Sequence, residues 1–104
     1  MNKIIKHSQF IQSKQIKLAV YEWGKSNPDQ QSIVLLHGYP DSAEVWDTVA
    51  EKLSAQFHVI SYDVRGAGLS DIPATQHEFH SDFLIDDLIE VISTTSPNQA
   101  VHLV

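Results

Sequence analysis

Two short stretches carry residues whose types and spacing could do chemistry: His37-Gly38-Tyr39-Pro40-Asp41 and Asp63-Val64-Arg65-Gly66-Ala67-Gly68-Leu69-Ser70-Asp71. The first follows the apolar run Ile33-Val34-Leu35-Leu36 directly and runs into a helical pattern. A chain that leaves a buried strand and enters a helix exposes unpaired backbone N–H groups, which attract anionic oxygen. Gly38 suits a turn in which a side chain would clash, and Pro40 sets the next dihedral. In the second stretch Gly66 and Gly68 suit a tight turn. Asp63, Arg65, Ser70 and Asp71 are able to tie that turn down with charge-assisted hydrogen bonds.

Other candidates carry less. Gly66-Ala67-Gly68 lacks the third glycine and the following helix of a dinucleotide loop. His77 and His80 stand at a spacing that could share a metal on one helical turn, but no third ligand accompanies them, so they read as a solvated loop and no metal site is expected. His58 and His102 fall in strand patterns and read as hydrogen-bonded core or edge residues; Trp23 and Trp46 read as core. Nucleophilic catalysis needs a nucleophile, a base and an orienting acid in mutual reach. No serine or histidine sits at a strand-to-helix elbow between small residues, so no catalytic residue is named within the chain.

The elements that must position the two loops follow from periodicity. Gln9–Gln12 and Ile16–Trp23 read as an antiparallel strand pair, with Ile16, Leu18, Val20 and Glu22 alternating against a wetter face of Lys17, Ala19, Tyr21 and Trp23. Ile33–Leu36 is an apolar run of the kind covered on both faces, and Phe57–Tyr62 and Ala100–Val104 resemble it in length. Between the first two, Asp41 and Glu44 fit a capping box ahead of a helix whose apolar face is Val45, Trp46, Val49 and Leu53. Between the second and third, Leu84, Ile85, Leu88, Ile89 and Ile92 face inward, with Asp82, Asp86, Asp87 and Glu90 toward water. Thr94-Thr95-Ser96-Pro97-Asn98 ends that helix. The order is β-β followed by β-α-β-α-β, an α/β chain with a parallel sheet and binding loops beyond the carboxyl ends of its strands.

Composition bounds the function. The 104 residues are 42% hydrophobic and 19% charged, the profile of one soluble globular domain or part of one. A net charge of −6 provides no basic field for nucleic acid or an anionic membrane. The absence of cysteine removes a disulfide framework and a thiolate nucleophile and suits a reducing cytosol. The start, Met1 to His7, lacks the apolar stretch and cleavage site of a secretion signal, so a cytoplasmic location is expected.

The two loops, together with Leu18-Ala19-Val20-Tyr21-Glu22-Trp23-Gly24, Val45-Trp46-Asp47 and the ending Ala100–Val104, resemble the α/β-hydrolase fold superfamily, in its epoxide-hydrolase-like branch. More narrowly they resemble the hydrolase-like front of bacterial proteins that carry a short-chain dehydrogenase behind it. The resemblance implies that residues 1–104 are the amino-terminal part of one hydrolase domain, cut after the fifth strand. It implies that the backbone N–H of Tyr39 is one oxyanion-hole donor, that His37, Gly38 and Pro40 shape its loop, and that the Tyr39–Pro40 bond is often cis. Asp63, Arg65, Gly66, Gly68 and Ser70 are then a supporting loop beneath the site.

The nucleophile, acid, catalytic histidine and lid are expected beyond Val104. An aspartate within Gly-His-Asp-Trp-Gly would open an epoxide through a covalent ester; a serine would instead imply esterase or lipase chemistry. The implied partner is a small-molecule substrate. The hydrolase part needs no cofactor, and a nicotinamide cofactor is implied only by an attached dehydrogenase. Competing readings are a non-catalytic binding protein of the same fold and a truncated product. The isolated chain is expected to be inert and, with an uncovered apolar edge, loosely packed or aggregating.

Overall fold

The computed structural model describes residues 4–104; Met1 to Lys3, which begin the stretch read above for secretion signals, lie outside the described residues. A five-stranded mixed sheet runs in the order β1-β2-β4-β3-β5, with β1 Lys6–Ser13, β2 Ile16–Trp23, β3 Ser32–Leu36, β4 His58–Tyr62 and β5 Val101–Leu103. The first pair is an antiparallel hairpin closed at Ser13↔Ile16. β2 meets β4 antiparallel, whereas β3 runs parallel to both β4 and β5. A 3-10 turn over Ala43–Trp46 leads into α1 Asp47–Leu53, and a second over Gln76–Phe79 precedes α2 Ser81–Thr95. This is the α/β architecture implied by the order of apolar runs.

The sheet's alternation sorts its side chains onto two covered faces. Ile11, Leu18, Val20, Val34, Ile60 and Tyr62 pack beneath Val91 of α2, with Leu88 and Ile92 flanking. Trp23, Ile33, Leu35 and Val59 pack beneath Ala50 of α1, with Trp46 and Leu53 flanking. Leu18, Val20, Val34 and Ile60 are 0% exposed; each contributes about 1.5–3 kcal/mol on leaving water.

Several expectations are refined or corrected. The second face of β2 is the wetter one, as its alternation implies, with Lys17 exposed and Tyr21 half-buried; but Ala19 and Trp23 on that face are as buried as Ile16, because β2 is an inner strand with a cluster on each side. β1 is the wetter strand, since it lies at the edge. β5 lies at the opposite edge, beside β3, with His102 and Leu103 exposed.

The Asp41–Glu44 capping box is absent. Ser42 stands at the cap with no side-chain bond, and the Ala43 N–H is taken instead by Asp63 Oδ1 at 2.8 Å. Val45 and Val49 point to water, while Ala43 and Ala50 turn inward. On α2, Ile85 and Ile89 are exposed and Asp87 is buried at 1%. The helix is rotated so that Leu84, Asp87, Leu88 and Val91, at helical spacing, share the inward face. A paired carboxylate occupies a position that a lone one could not.

Candidate functional site

Because β3 and β4 are parallel neighbours, both chemistry-bearing loops emerge from the same end of the sheet. His37, 8% exposed, joins them. Its Nε2 accepts the Val64 N–H at 3.0 Å, so Nε2 carries a lone pair and the ring proton sits on Nδ1. That proton is donated to the Gly38 carbonyl, 3.0 Å away. Both ring nitrogens are thereby engaged. Asp41 N–H closes the turn on the same carbonyl at 2.9 Å.

The Tyr39–Pro40 peptide bond is cis. The Tyr39 side chain is 99% exposed, and its N–H meets no acceptor among the described residues. Gly38 does not relieve a clash: its φ is not left-handed, and an added Cβ would meet nothing within 4 Å. The loop borders open space on that side, so the requirement expected of Gly38 is absent.

The second loop is built more tightly. The Asp63 carboxylate, buried at 2%, accepts bonds from Ala43 N–H at 2.8 Å, Leu69 N–H at 3.0 Å and Tyr21 Oη at 2.8 Å. Burial and then this carboxylate hold the Tyr21 phenol above its ordinary range; burial and then Asp87 do the same for Tyr62. Ser70 Oγ donates to the Asp63 carbonyl at 2.5 Å and accepts from Ala19 N–H at 2.8 Å. Asp71 closes the loop through Gly66 N–H at 2.9 Å and reaches back to Lys17 N–H at 2.8 Å. Gly66 and Gly68 are both left-handed, at φ +84° and +51°; a Cβ would press on the Phe79 ring at 66 and collide with the Asp63 carboxylate at 68.

Arg65 anchors this loop from below. Its Nε and Nη2 donate to Asp87 at 2.6 and 2.8 Å, and its Nη1 donates to the Glu78 carbonyl at 2.9 Å. Ser13 Oγ adds a third bond to Asp87, at 2.6 Å. The bond to Asp87 raises the Arg65 pKa further. One buried carboxylate thus ties the hairpin, the second loop and α2 together. Sequence reasoning placed Asp87 in water; its position between Leu84 and Val91 on the helical repeat was the available signal.

Between the loops and α2 lies a cavity of about 1250 Å³ whose walls include Leu36, Tyr39, Val45, Phe79, Leu84 and Leu88. A hydrogen-bonded chain of different kind lies at the other end of the same strands. Ser32 Oγ is 2.8 Å from His58 Nδ1, and His58 Nε2 is 2.6 Å from Glu22 Oε2. Gln9 and His7 approach the other Glu22 oxygen at 3.2 and 3.6 Å. Serine, histidine and glutamate in this order suggest a catalytic triad, but Ser32 and His58 are 0% exposed. With no path for a substrate, the chain is core wiring.

His80 Nδ1 accepts Asp82 N–H at 3.3 Å as the cap of α2, and the His77 ring packs edge-on against Phe83. No three metal-capable side chains cluster among the described residues. His102 bonds Gln31 at the sheet edge. Among the described residues, no helix is long and apolar enough to cross a membrane.

The sequence profile of the alpha/beta hydrolase fold family matches residues 31–104. The chain is 39% identical over 88 residues to the probable oxidoreductase EphD of Mycobacterium tuberculosis, covering 85% of this chain and 14% of that protein. It is 30% identical over 69 residues to mouse epoxide hydrolase 4, covering 66% of this chain and 19% of that protein. A solved thioesterase domain from the curacin biosynthetic pathway superposes with TM-score 0.83 at 21% identity, over 95% of this chain and 34% of that one.

Proposed function

The chain belongs to the alpha/beta hydrolase fold family, and on that premise we propose that it forms the amino-terminal part of an epoxide-hydrolase-like enzyme in which the Tyr39 N–H is one oxyanion-hole donor. The observation that carries this reading is the Tyr39 amide itself: it has no partner among the described residues at the carboxyl end of β3, and its residue lines the cavity. A donor fixed there without an acceptor is preorganised for charge that develops during a reaction.

In this reading a carboxylate from outside these residues attacks an epoxide carbon. The ring C–O bond breaks, the alkoxide takes up a proton and an alkyl-enzyme ester remains. Water deprotonated by a histidine, also outside these residues, then attacks the ester carbonyl. The oxygen that becomes negative is met by the Tyr39 N–H, and collapse releases a diol. The likeness to mouse epoxide hydrolase 4 supports the carboxylate route. A serine nucleophile on the same scaffold would give acyl transfer instead. The likeness to EphD supports an attached oxidoreductase domain, to which any nicotinamide cofactor would belong; the hydrolase chemistry proposed here uses none.

The test is a single turnover of styrene oxide by the full-length gene product in ¹⁸O-water. The expected result is ¹⁸O in a protein carboxylate and unlabelled diol. An acyl-enzyme burst with p-nitrophenyl acetate and no diol would replace this reading with the serine one. Turnover of neither would favour a binding protein.

A further inference from the structure

Resting on the hydrolase reading, we propose that His37 is a positioning residue whose Nδ1–H sets the direction and the donor strength of the Tyr39 N–H. The two groups meet at one peptide unit. The Tyr39 N–H belongs to the Gly38–Tyr39 peptide, and the carbonyl of that unit is the one to which His37 Nδ1 donates at 3.0 Å. The Asp41 N–H donates to the same carbonyl at 2.9 Å. The Gly38–Tyr39 unit is trans. In a planar trans peptide the C=O and N–H point opposite ways, so bonds that fix the one fix the other. Two donors on the oxygen also draw electron density from the amide nitrogen, which makes its N–H a stronger donor.

The ring is able to aim Nδ1 because its other nitrogen is anchored. Nε2 accepts the Val64 N–H at 3.0 Å, which leaves the proton on Nδ1 and holds the imidazole against the loop after β4. His37 is 8% exposed, so little water competes for either bond. An acceptor for Val64 alone would need no ring. A rigid ring with an acceptor at one nitrogen and a donor at the other reaches from the second loop to the oxygen of the Gly38–Tyr39 peptide. The Tyr39 N–H meets no acceptor among the described residues, so its added donor strength remains available. Bracing the loop is served by either bond; aiming and polarising this amide is served by the Nδ1 bond in particular.

Substitution separates the two bonds. H37N keeps an N–H at the reach of Nδ1, H37Q keeps an oxygen near the reach of Nε2, and H37A keeps neither. The three are compared in the full-length protein, with the Tyr39 amide followed by ¹⁵N-tyrosine labelling and identified by its loss in Y39F. In H37Q and H37A the Tyr39 amide proton should move upfield, and kcat for styrene oxide or p-nitrophenyl acetate should fall ~10-fold with KM little changed. H37N should return the amide proton toward its parent position and recover most of the kcat lost in H37A. Urea midpoints should run the other way, lower in H37N than in H37Q, because H37N strands the Val64 N–H while Asp41 still serves the Gly38 carbonyl in H37Q. Losses of kcat that follow the urea midpoints, or that are equal in H37N and H37Q, would overturn the proposal and leave His37 a brace for the loop. An H37Q amide proton at the parent position would overturn it too. If the amide responds as expected while the parent turns over neither substrate, the positioning of the N–H stands and the hydrolase reading falls.

Discussion

The two ends of the same three strands hold a histidine each, and they use it in opposite ways. At the amino end, Ser32, His58 and Glu22 from β3, β4 and β2 form a closed chain with no exposed atom on Ser32 or His58. At the carboxyl end, His37 spends Nδ1 on its own loop and Nε2 on the second, and the Tyr39 N–H beside it is left without an acceptor among the described residues. The end that looks like a catalytic triad is satisfied; the end with an unspent donor is open. Reactive geometry is recognised by what is left unpaired and accessible, not by which residue types lie in a row.

The contrast can be broken or sharpened by substitution. Arg65→Met strands the Asp87 carboxylate in the core and should cost about 3–5 kcal/mol in urea unfolding. Replacing both partners, as R65M/D87L, should recover most of that, since a buried pair contributes little beyond an apolar equivalent of similar volume. A single substitution as mild as the double would mean that the support beneath the site is not a buried ion pair.

At the amino end, His58→Ala takes the partner from Glu22 Oε2 and Ser32 Oγ and should cost about 2–3 kcal/mol. The folded fraction of full-length H58A should keep the parent turnover number. A fall in that number would mean that the buried chain takes part in the chemistry after all.

The glycines give a smaller contrast. Gly68→Ala, at φ +51° against Asp63, should cost about 1–3 kcal/mol. Gly38→Ala should stay within about 0.5 kcal/mol, since its Cβ meets open space. Thermal melts of the two variants decide the matter; equal costs would contradict the difference in packing between the loops.

The least effect is in alkali. The Tyr21 and Tyr62 phenols lie above the ordinary tyrosine value of 10.0 in the fold, so the folded chain keeps protons that the unfolded chain releases. Their contribution to stability is therefore complete below pH ~10 and lost as pH rises through the raised values. Absorbance at 295 nm should show two phenolates appearing later than free tyrosine, with urea midpoints falling as they do. Phenolate formation at the free-tyrosine pH by all three tyrosines would contradict it.

How far this was legible in the sequence depends on how local each feature is. The hairpin and the parallel core could be read because alternation at Ile16–Trp23 and the run Ile33–Leu36 are short-range patterns that the sheet preserves. The start of α1 was misread because its donor is met not by nearby Asp41 but by Asp63, 20 positions away. Asp87 was assigned to water because its partner Arg65 lies 22 positions back. The same distance effect hid the Ser32–His58–Glu22 chain, whose members were each unremarkable in their own strands. The loop sequences pointed to the carboxyl end of the sheet, but the freedom of the Tyr39 N–H is a property of the folded backbone.

The most direct test of that freedom replaces Tyr39 with its α-hydroxy acid counterpart in the full-length protein, exchanging the amide N–H for an ester oxygen. Because this N–H has no acceptor among the described residues, the unfolding midpoint should fall only by what a weaker, ester carbonyl at Gly38 costs the bonds it accepts from His37 and Asp41. Because it is proposed to meet the developing oxyanion, kcat should fall ~10²–10³-fold with KM nearly unchanged. An unaltered kcat would contradict the account, and Tyr39 would then be an exposed loop residue at the mouth of a cavity.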